Sequence, residues 1–448
     1  VKHFWLFFLF VIPVTAAQKP LEQYIQMGLE NNLALQQEDF SLQQAQAALR
    51  EARGMFLPRI SLNARYSRAK GGRKIDIPIG DLFNPVYSSL NALMGVQAFP
   101  TDLENRSIPF LREREHDTKI RVTQPVFEPR IYFNAKIKKE LSRIESSSKQ
   151  AFARELIAEI KQAFFNYLKT ENLLDLLSET GLLLQENLDV SQSLYENDKV
   201  TQANVYRAEA ELAEWEQSLA QAEKHNDAAR SYFNFLLNRE LDAPIERQSF
   251  QDSTFVLPPL QETIDAALSN RQELFQLRRS IDIAGHQVRL HRSSFLPSVS
   301  VAADYGFQGK EYSFTEKDDY WMASAVASWN LFNGFQDKNQ IQMAKLEKRR
   351  QQLKLEQVKN QLRMDVRSKH YAVQVAERSK EAARKKRRSA QKAFEIIKQR
   401  YNEGIVPHIE FIDSRHMLTQ AEINDLNATY DYWIHVAQLE KTMGIRGE

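Results

Sequence analysis

The feature that most restricts this chain is a gapless internal repeat. Leu21 to Tyr66 reads LEQYIQMGLENNLALQQEDFSLQQAQAALREARGMFLPRISLNARY, and Leu260 to Tyr305 reads LQETIDAALSNRQELFQLRRSIDIAGHQVRLHRSSFLPSVSVAADY. Pro297 stands 239 residues after Pro58, as Tyr305 does after Tyr66. About a third of the aligned positions are identical, a level that chance does not sustain over such a register. Whatever the first half folds into, the second must fold into again.

Each copy opens with apolar residues at helical spacing, Leu21, Ile25 and Leu29 in one and Leu260, Ile264 and Leu268 in the other, and a polar-faced helix follows. The helix stops at Phe56-Leu57-Pro58 and at Phe295-Leu296-Pro297, because a proline drives its predecessor out of the α region. An alternating strand then begins. Ile60, Leu62, Ala64 and Tyr66 take turns with polar residues, as Val299, Val301, Ala303 and Tyr305 do with Ser300, Ala302 and Asp304. A second strand returns through Ile120 and Val122 to Pro125-Val126-Phe127 in the first copy. In the second copy it returns through Ala323, Ala325, Ala327 and Trp329 to Leu331-Phe332-Asn333-Gly334. Between the strands the first copy carries about fifty residues and the second only about fifteen. The longer connection contains Leu82, Phe83, Leu90, Leu93, Met94 and Phe99, which predicts a folded segment.

Two very long helices are predicted next. Phe335 to Glu403 contains neither proline nor glycine, and from Arg130 to Arg239 only Gly181 interrupts. At 1.5 Å per residue the former would extend roughly 100 Å. Its apolar residues, such as Ile341, Leu346, Leu353, Val358 and Leu362, are sparse among Lys, Arg, Gln and Glu, the narrow stripe of a coiled-coil seam. Matching breaks fall at Tyr195-Glu196-Asn197-Asp198-Lys199-Val200 and at Tyr401-Asn402-Glu403-Gly404-Ile405-Val406-Pro407. Asp, Asn and Gly tolerate the left-handed backbone of a helix end, so Asp198, Lys199, Gly404 and Ile405 are expected at the tips of two antiparallel helical hairpins. The halves are expected at 18–257 and 258–448, with strands about 59–67, 118–126, 298–306 and 321–331 and helical hairpins about 130–240 and 335–445.

The N-terminus has the order of a secretory signal: Lys2 and His3, an apolar run from Phe4 to Val14, then Thr15, Ala16 and Ala17. The run is too short for a bilayer, which takes roughly 20 residues, so residues 1–17 are expected to be removed on export. No later stretch is an apolar span, and the mean hydropathy is −0.51. A membrane crossing by this chain would therefore use strands. The 60 basic and 58 acidic residues nearly cancel, so composition indicates no nucleic acid or other polyanionic partner. No cysteine occurs, which removes disulfides, thiolate metal sites and a cysteine-linked lipid anchor.

Enzyme patterns fail one by one. His408-Ile409-Glu410 has the spacing of a zinc deaminase, but the required cysteines are missing. His286 and His291 are five apart with no completing acid. Neither catalytic residues nor a metal or cofactor site are expected. The basic run Arg384 to Arg388, preceded by Glu377 and Glu381, reads as a solvated helix face or a contact with a protein partner.

Four amphipathic strands leave sheet edges that are costly in water and untenable in lipid, and eight strands are about the least a membrane barrel uses. Identical neighbours can supply the rest. A periplasmic adaptor or a soluble coiled-coil scaffold remains as an alternative on the helices alone; the 14 glycines and the clean duplication count against the adaptor, whose β-domains are glycine-rich.

The leader, the duplicated helix, the Phe-Leu-Pro strand entry, the Leu331 to Gly334 exit and the Tyr401-x-x-Gly404 break resemble the TolC-like outer-membrane factors over essentially the whole mature chain. The resemblance implies a mainly α fold with a small β part. Four transmembrane strands per chain would contribute to a trimeric barrel of twelve in the outer membrane of a Gram-negative bacterium, with long helices forming a periplasmic tunnel. It implies passive export of small molecules or polypeptides, a periplasmic adaptor, an inner-membrane RND, ABC or MFS transporter, and outer-membrane lipid around the strands. It also places Glu410 and Asp413 at a periplasmic constriction, where the family more usually has two aspartates; Asn204 stands at the matching place of the first half, where the family often has an acid. Phe56, Pro58, Phe295 and Pro297 mark the helix–strand junctions; Phe56, Tyr66, Phe295 and Tyr305 read as interface anchors of a membrane barrel, and plain packing at the junction explains Phe56 and Phe295 at least as well.

Overall fold

The computed structural model describes residues 20–247, 255–403 and 405–445, so the expected leader at 1–17 lies outside the described residues. In chain order the elements are α1 (Pro20–Asn31), α2 (Leu33–Gly54), β1 (Arg59–Arg68), β2 (Lys74–Ile77), α3 (Ile79–Met94), β3 (Arg106–Pro109), β4 (Arg114–Phe127), α4 (Pro129–Glu196) and α5 (Gln202–Leu236). There follow α6 (Leu260–Asn270), α7 (Gln272–Arg292), a short 3-10 turn, β5 (Ser298–Gly309), β6 (Asp319–Ser328), α8 (Gln336–Asn402) and α9 (His408–Met443). The fold is mainly helical, with one four-stranded antiparallel sheet. The chain divides into two compact units: residues 1–47, 139–285 and 345–448 form one, and residues 48–138 and 286–344 the other.

The helical unit holds most of α4 and α8, helices of 68 and 67 residues, each about 100 Å long at the α rise. Its core gathers where four helices meet. Tyr24 of α1 packs edge-on against Phe233 of α5 at 5.1 Å and lies 6.0 Å from Phe164 of α4. Ile160, Phe164, Phe233 and Leu439 are fully buried around them. The repeat is visible in the breaks. The first helix of each copy is interrupted after about a dozen residues, at Asn32 and at Arg271, which are 239 residues apart. Asn32 earns its place by accepting from the Leu35 N–H (3.0 Å) while donating to the Leu236 carbonyl (2.9 Å), the N-cap geometry that restarts a helix. At the other end α5 and α9 close alike. Asn238 (φ 53°) and Gly444 (φ 69°) take the left-handed conformation, and the N–H groups of Arg239 and Ile445 reach back to the carbonyls of Asn234 and Glu440. These positions are 206 residues apart rather than 239; most of the change in offset arises in the inter-strand connection, which runs over 69–113 in the first copy and only over 310–318 in the second.

In the sheet unit the strand order is β1-β4-β5-β6, antiparallel throughout. Register separates the two faces cleanly. On one, Ile60, Leu62, Ala64 and Tyr66 of β1 share rows with Val122, Ile120, Thr118 and His116 of β4 and with Ala303, Tyr305, Phe307 and Gly309 of β5; Trp321, Ala323 and Ala325 continue it on β6. This face is apolar yet open: Ile60, Leu62 and Trp321 are each more than 70% exposed. On the other, Ser61, Asn63 and Arg65 face Arg121, Lys119 and Asp117, with Asp304, Gly306 and Gln308 beyond them. The strand expected at 321–331 ends at Ser328. Its partner begins at Ser298, because Pro297 has no N–H with which to extend the ladder, and Trp329 instead donates its indole N–H to the Phe295 carbonyl (3.0 Å).

The polar face is held by charges. Arg121 grips Asp304 across strands with two bonds, Nε to Oδ1 at 2.7 Å and Nη2 to Oδ2 at 2.6 Å. Lys119 and Tyr320 both donate to Asp117, at 2.7 and 2.9 Å. The Asp304 side chain is only 2% exposed, whereas Arg121 is 40% exposed. Removing the arginine strands a buried anion; removing the aspartate leaves a cation that reaches water. Arg121→Met is therefore expected to lower the unfolding temperature of the detergent-solubilised protein more than Asp304→Asn, and Arg121→Met/Asp304→Leu to recover part of the loss. Equal losses from the two single changes would contradict this asymmetry.

The long connection between β1 and β4 is a folded insert. β2 and β3 pair as a small hairpin, and α3 is pinned to the returning chain by side-chain amides. Asn91 accepts from the N–H groups of Ala98 and Phe99 and donates to the Phe99 carbonyl, all near 2.9 Å, while Asn84 and Leu103 exchange two bonds. Leu82, Val86, Leu93 and Met94 of α3 remain more than half exposed.

Candidate functional site

The two turns that join α4 to α5 and α8 to α9 are built alike. After α4, Asp198 adopts φ 55° and the Lys199 N–H bonds to the Leu194 carbonyl at 2.9 Å. After α8, the Ile405 N–H bonds to the Arg400 carbonyl, also at 2.9 Å. Both bonds have the six-to-one span, which at the first turn closes the helix through the left-handed Asp198. Gly404, which occupies the position equivalent to Asp198, lies outside the described residues. Asp198, Lys199 and Ile405 are exposed.

Behind the second turn, Tyr401 stacks on Phe411 at 4.8 Å, with Phe394 5.6 Å from Phe411 and His408 5.7 Å from Tyr401. His408 donates its Nε2–H to Asn187 Oδ1 on α4 at 2.5 Å. Burial, together with the nearby Arg207 cation, pushes the His408 pKa below its ordinary value, so the ring is neutral at pH 7 and holds one hairpin to the other without adding charge.

Glu410 and Asp413 stand on the first turns of α9, both exposed, and three residues apart they share a face. Asp413 Oδ1 lies 3.7 Å from Arg207 Nη2 on α5, and Arg207 Nε lies 3.6 Å from Glu211. Arg207 precedes Asp413 by 206 residues, and Asn204 precedes Glu410 by the same distance. The two copies of one repeat position thus carry opposite charges and face each other. With the Arg207 and Asp413 side chains 53% and 64% exposed, this pair contributes little stability and is screened by salt. Burial raises the Glu211 pKa, with Arg207 and His416 opposing. Glu410 has no ion-pair partner among the described residues.

A little further along the hairpin, a cleft of about 370 Å³ opens between α4, α5 and α9, lined by Leu173, Leu177, Trp215, Ile412 and the polar Glu211, Arg415 and His416. Trp215 packs flat on Gly181, where a Cβ would come within 2.1 Å of the indole, and donates its N–H to the Leu177 carbonyl at 2.7 Å. Gly181 therefore does not break α4; it is the floor for a tryptophan from the neighbouring helix.

In the sheet unit, the junction residues repeat one device. The Phe56 carbonyl accepts from the Gln124 amide (2.7 Å) and the Phe295 carbonyl from the Trp329 indole. In both copies a side chain at the end of the second strand, Gln124 or Trp329, donates to the carbonyl of the phenylalanine two residues before the proline. Phe56 and Phe295 are 42% and 49% exposed. Spacing gave no sign of Arg207, Asn187 or Trp215, since their roles depend on how separate helices are set against one another. Among the described residues, no three His, Asp or Glu side chains gather as metal ligands, and no helix is long and apolar enough to cross a membrane.

Comparison with known proteins identifies this architecture. Residues 263–445 match the family profile described as "Outer membrane efflux protein". The chain is 22% identical to outer membrane protein OprJ of Pseudomonas aeruginosa over 95% of its own length and 84% of that protein's. It is 21% identical to outer membrane protein TolC of Escherichia coli K12 over 89% and 77% of the two lengths. Its fold superposes on the Campylobacter jejuni CmeC outer membrane channel with a TM-score of 0.79, at 16% identity, covering 95% of this chain and 86% of that one. The profile of outer-membrane efflux proteins covers the second repeat, and the similarity to the two relatives extends across the first, on a fold shared with a solved outer membrane channel.

Proposed function

We propose that three copies of this chain pool their strands into one closed barrel in the outer membrane and that their long helices enclose the passage on the periplasmic side. The observation that carries this reading is the four-stranded sheet with two open edges, β1 and β6, one face apolar and exposed, the other lined by Arg65, Lys119, Arg121, Asp117 and Asp304. In lipid every edge N–H and C=O must find a partner, and an identical neighbour's β6 beside β1 supplies it without any new sequence. The two repeats, 18–257 and 258–448, then each contribute one β-hairpin and one helical hairpin. The duct is passive and takes its cargo from an inner-membrane pump of the RND, ABC or MFS type through a periplasmic adaptor. The hairpin tips, expected at Asp198, Lys199, Gly404 and Ile405 and exposed at Asp198, Lys199 and Ile405, are the part of the helical unit offered to that adaptor.

In this assembly Glu410 and Asp413 form stacked rings of carboxylates at the periplasmic mouth, and Arg207 offsets the Asp413 ring. Concentrated like charges attract counter-ions. In planar-bilayer recordings, Glu410→Gln/Asp413→Asn is expected to reduce cation preference roughly twofold or more, and Arg207→Ala to increase it by exposing Asp413. Selectivity unchanged by either variant would remove these residues from the pore. The assembly itself is tested by the mass of the detergent-solubilised protein, which should be that of three chains; a monomer that forms no channels would defeat the reading.

A further inference from the structure

On the apolar face of the sheet, at the end away from the helix junctions, the cross-strand rows run in a definite order. Tyr66 stands opposite His116, and the next row on that face is Arg68 opposite Arg114. The aromatic row is fixed. Tyr312 from the β5–β6 turn stacks on Tyr66 at 5.9 Å and on His116 at 4.5 Å, and His116 is wholly buried beneath it. One step beyond, about 7 Å along the strands, lie two like charges at directly opposed positions, an arrangement that repels.

Among the described residues no carboxylate pairs with either arginine. Arg68 and Arg114 are exposed and have neither an ion pair nor a hydrogen bond to their side chains among the described residues. Of the nearby acids, Glu115 accepts from Gln308 at 3.1 Å and lies 3.6 Å from Arg112, Asp117 holds Lys119 and Tyr320, and Glu113, exposed beside Arg114, makes no ion pair with either arginine among the described residues. Lys70, in the connection after β1, and Lys74, at the start of β2, are also exposed and unpartnered among the described residues.

Apolar rows, then an aromatic row, then a pair of cations is the depth profile of a bilayer leaflet: tails, interface, headgroups. We propose that Arg68 and Arg114 together clamp a phosphate of an anionic lipid headgroup in the outer leaflet. The inference rests on the reading of this face as lipid-facing. Two guanidinium forks can each give a phosphate paired charge-assisted bonds, turning a repulsive row into a site. The occupant is a lipid because the pair shares its face with Ile60, Leu62 and Tyr66, over which the acyl chains below that phosphate are buried; a free phosphate gains nothing from this band.

The test uses the full-length protein purified in detergent, with diphosphorylated lipid A and its enzymatically dephosphorylated form as probes and native mass spectrometry as the readout. Wild type should retain the phosphorylated form about tenfold more tightly, and Arg68→Gln/Arg114→Gln should retain both forms alike. Millimolar inorganic phosphate should fail to displace the lipid. Equal retention of both forms by wild type, an undiminished preference in the double variant, or full displacement by inorganic phosphate would each overturn the assignment. Channel formation by the same samples in purely zwitterionic bilayers separates the two ideas. Its failure in wild type counts against the barrel, whereas normal channels without phosphate preference count against the arginine pair alone.

Discussion

Gly306→Val is expected to abolish recovery of assembled protein from the membrane. A Cβ at this position of β5 would lie 2.4 Å from the Thr118 carbonyl oxygen and 2.7 Å from the Lys119 Cα on β4. These are backbone atoms in the middle of a ladder, so relief requires the two strands to part. The gap that glycine leaves is also the space in which Lys119 lies as it reaches Asp117, so a side chain there displaces the ion pair as well as the strand. A cost of about 3 kcal/mol or more is expected, at the upper end for overpacking, against a total stability of only ~5–15 kcal/mol for a typical domain. Gly306→Ala should fail in the same direction, because the first carbon already makes the clash. Native-like yield and heat resistance in both variants would show that the strands have room to separate at this point.

The second large effect is expected at Gly181. Isoleucine there places its Cβ inside the Trp215 indole, 2.1 Å from the nearest ring carbon. The ring is flat, partly buried and tethered to Leu177, so it cannot yield as a flexible chain would. Gly181→Ile is expected to cost about 1–3 kcal/mol and to open the hairpin near its tip, read as faster proteolysis between residues 181 and 215 with the sheet unit left intact. Trp215→Leu in the same chain should restore resistance by vacating the space. If the double variant is cleaved as fast as the single one, the loss has another cause, such as the β-branched side chain's own helix propensity.

Much of this molecule could be read from its residues because its signals are local. Proline ends a helix wherever it falls, so Pro58 and Pro297 marked the strand entries. Alternation over Ile60 to Tyr66 fixed which residues share a face before any neighbour was known. Asp198 was readable as a left-handed residue because few others accept that backbone. What stayed hidden depends on partners distant in sequence. The breaks at Asn32 and Arg271 carry no proline or glycine and exist because Asn32 can bond to Leu236, some two hundred residues on. The insert was expected to be folded from its apolar content, but its hairpin and helix hang on Asn84 and Asn91, whose bonds no periodicity announces. At the tips, acidity at Glu410 and Asp413 was legible, whereas the neutralising Arg207 was not. Only the register between two helical hairpins sets it opposite Asp413.

The 36 residues by which the first connection (69–113) exceeds the second (310–318) leave the duplication unequal at one end. In the proposed assembly of three chains around an axis, the wall of strands would repeat almost six times per turn, while its rim would alternate between a lobe bearing α3 and a short aromatic turn. Anything approaching from outside the cell, whether antibody, phage or bacteriocin, would meet a crown of three prominent lobes. The passage beneath would present a nearly sixfold bore to the cargo leaving it.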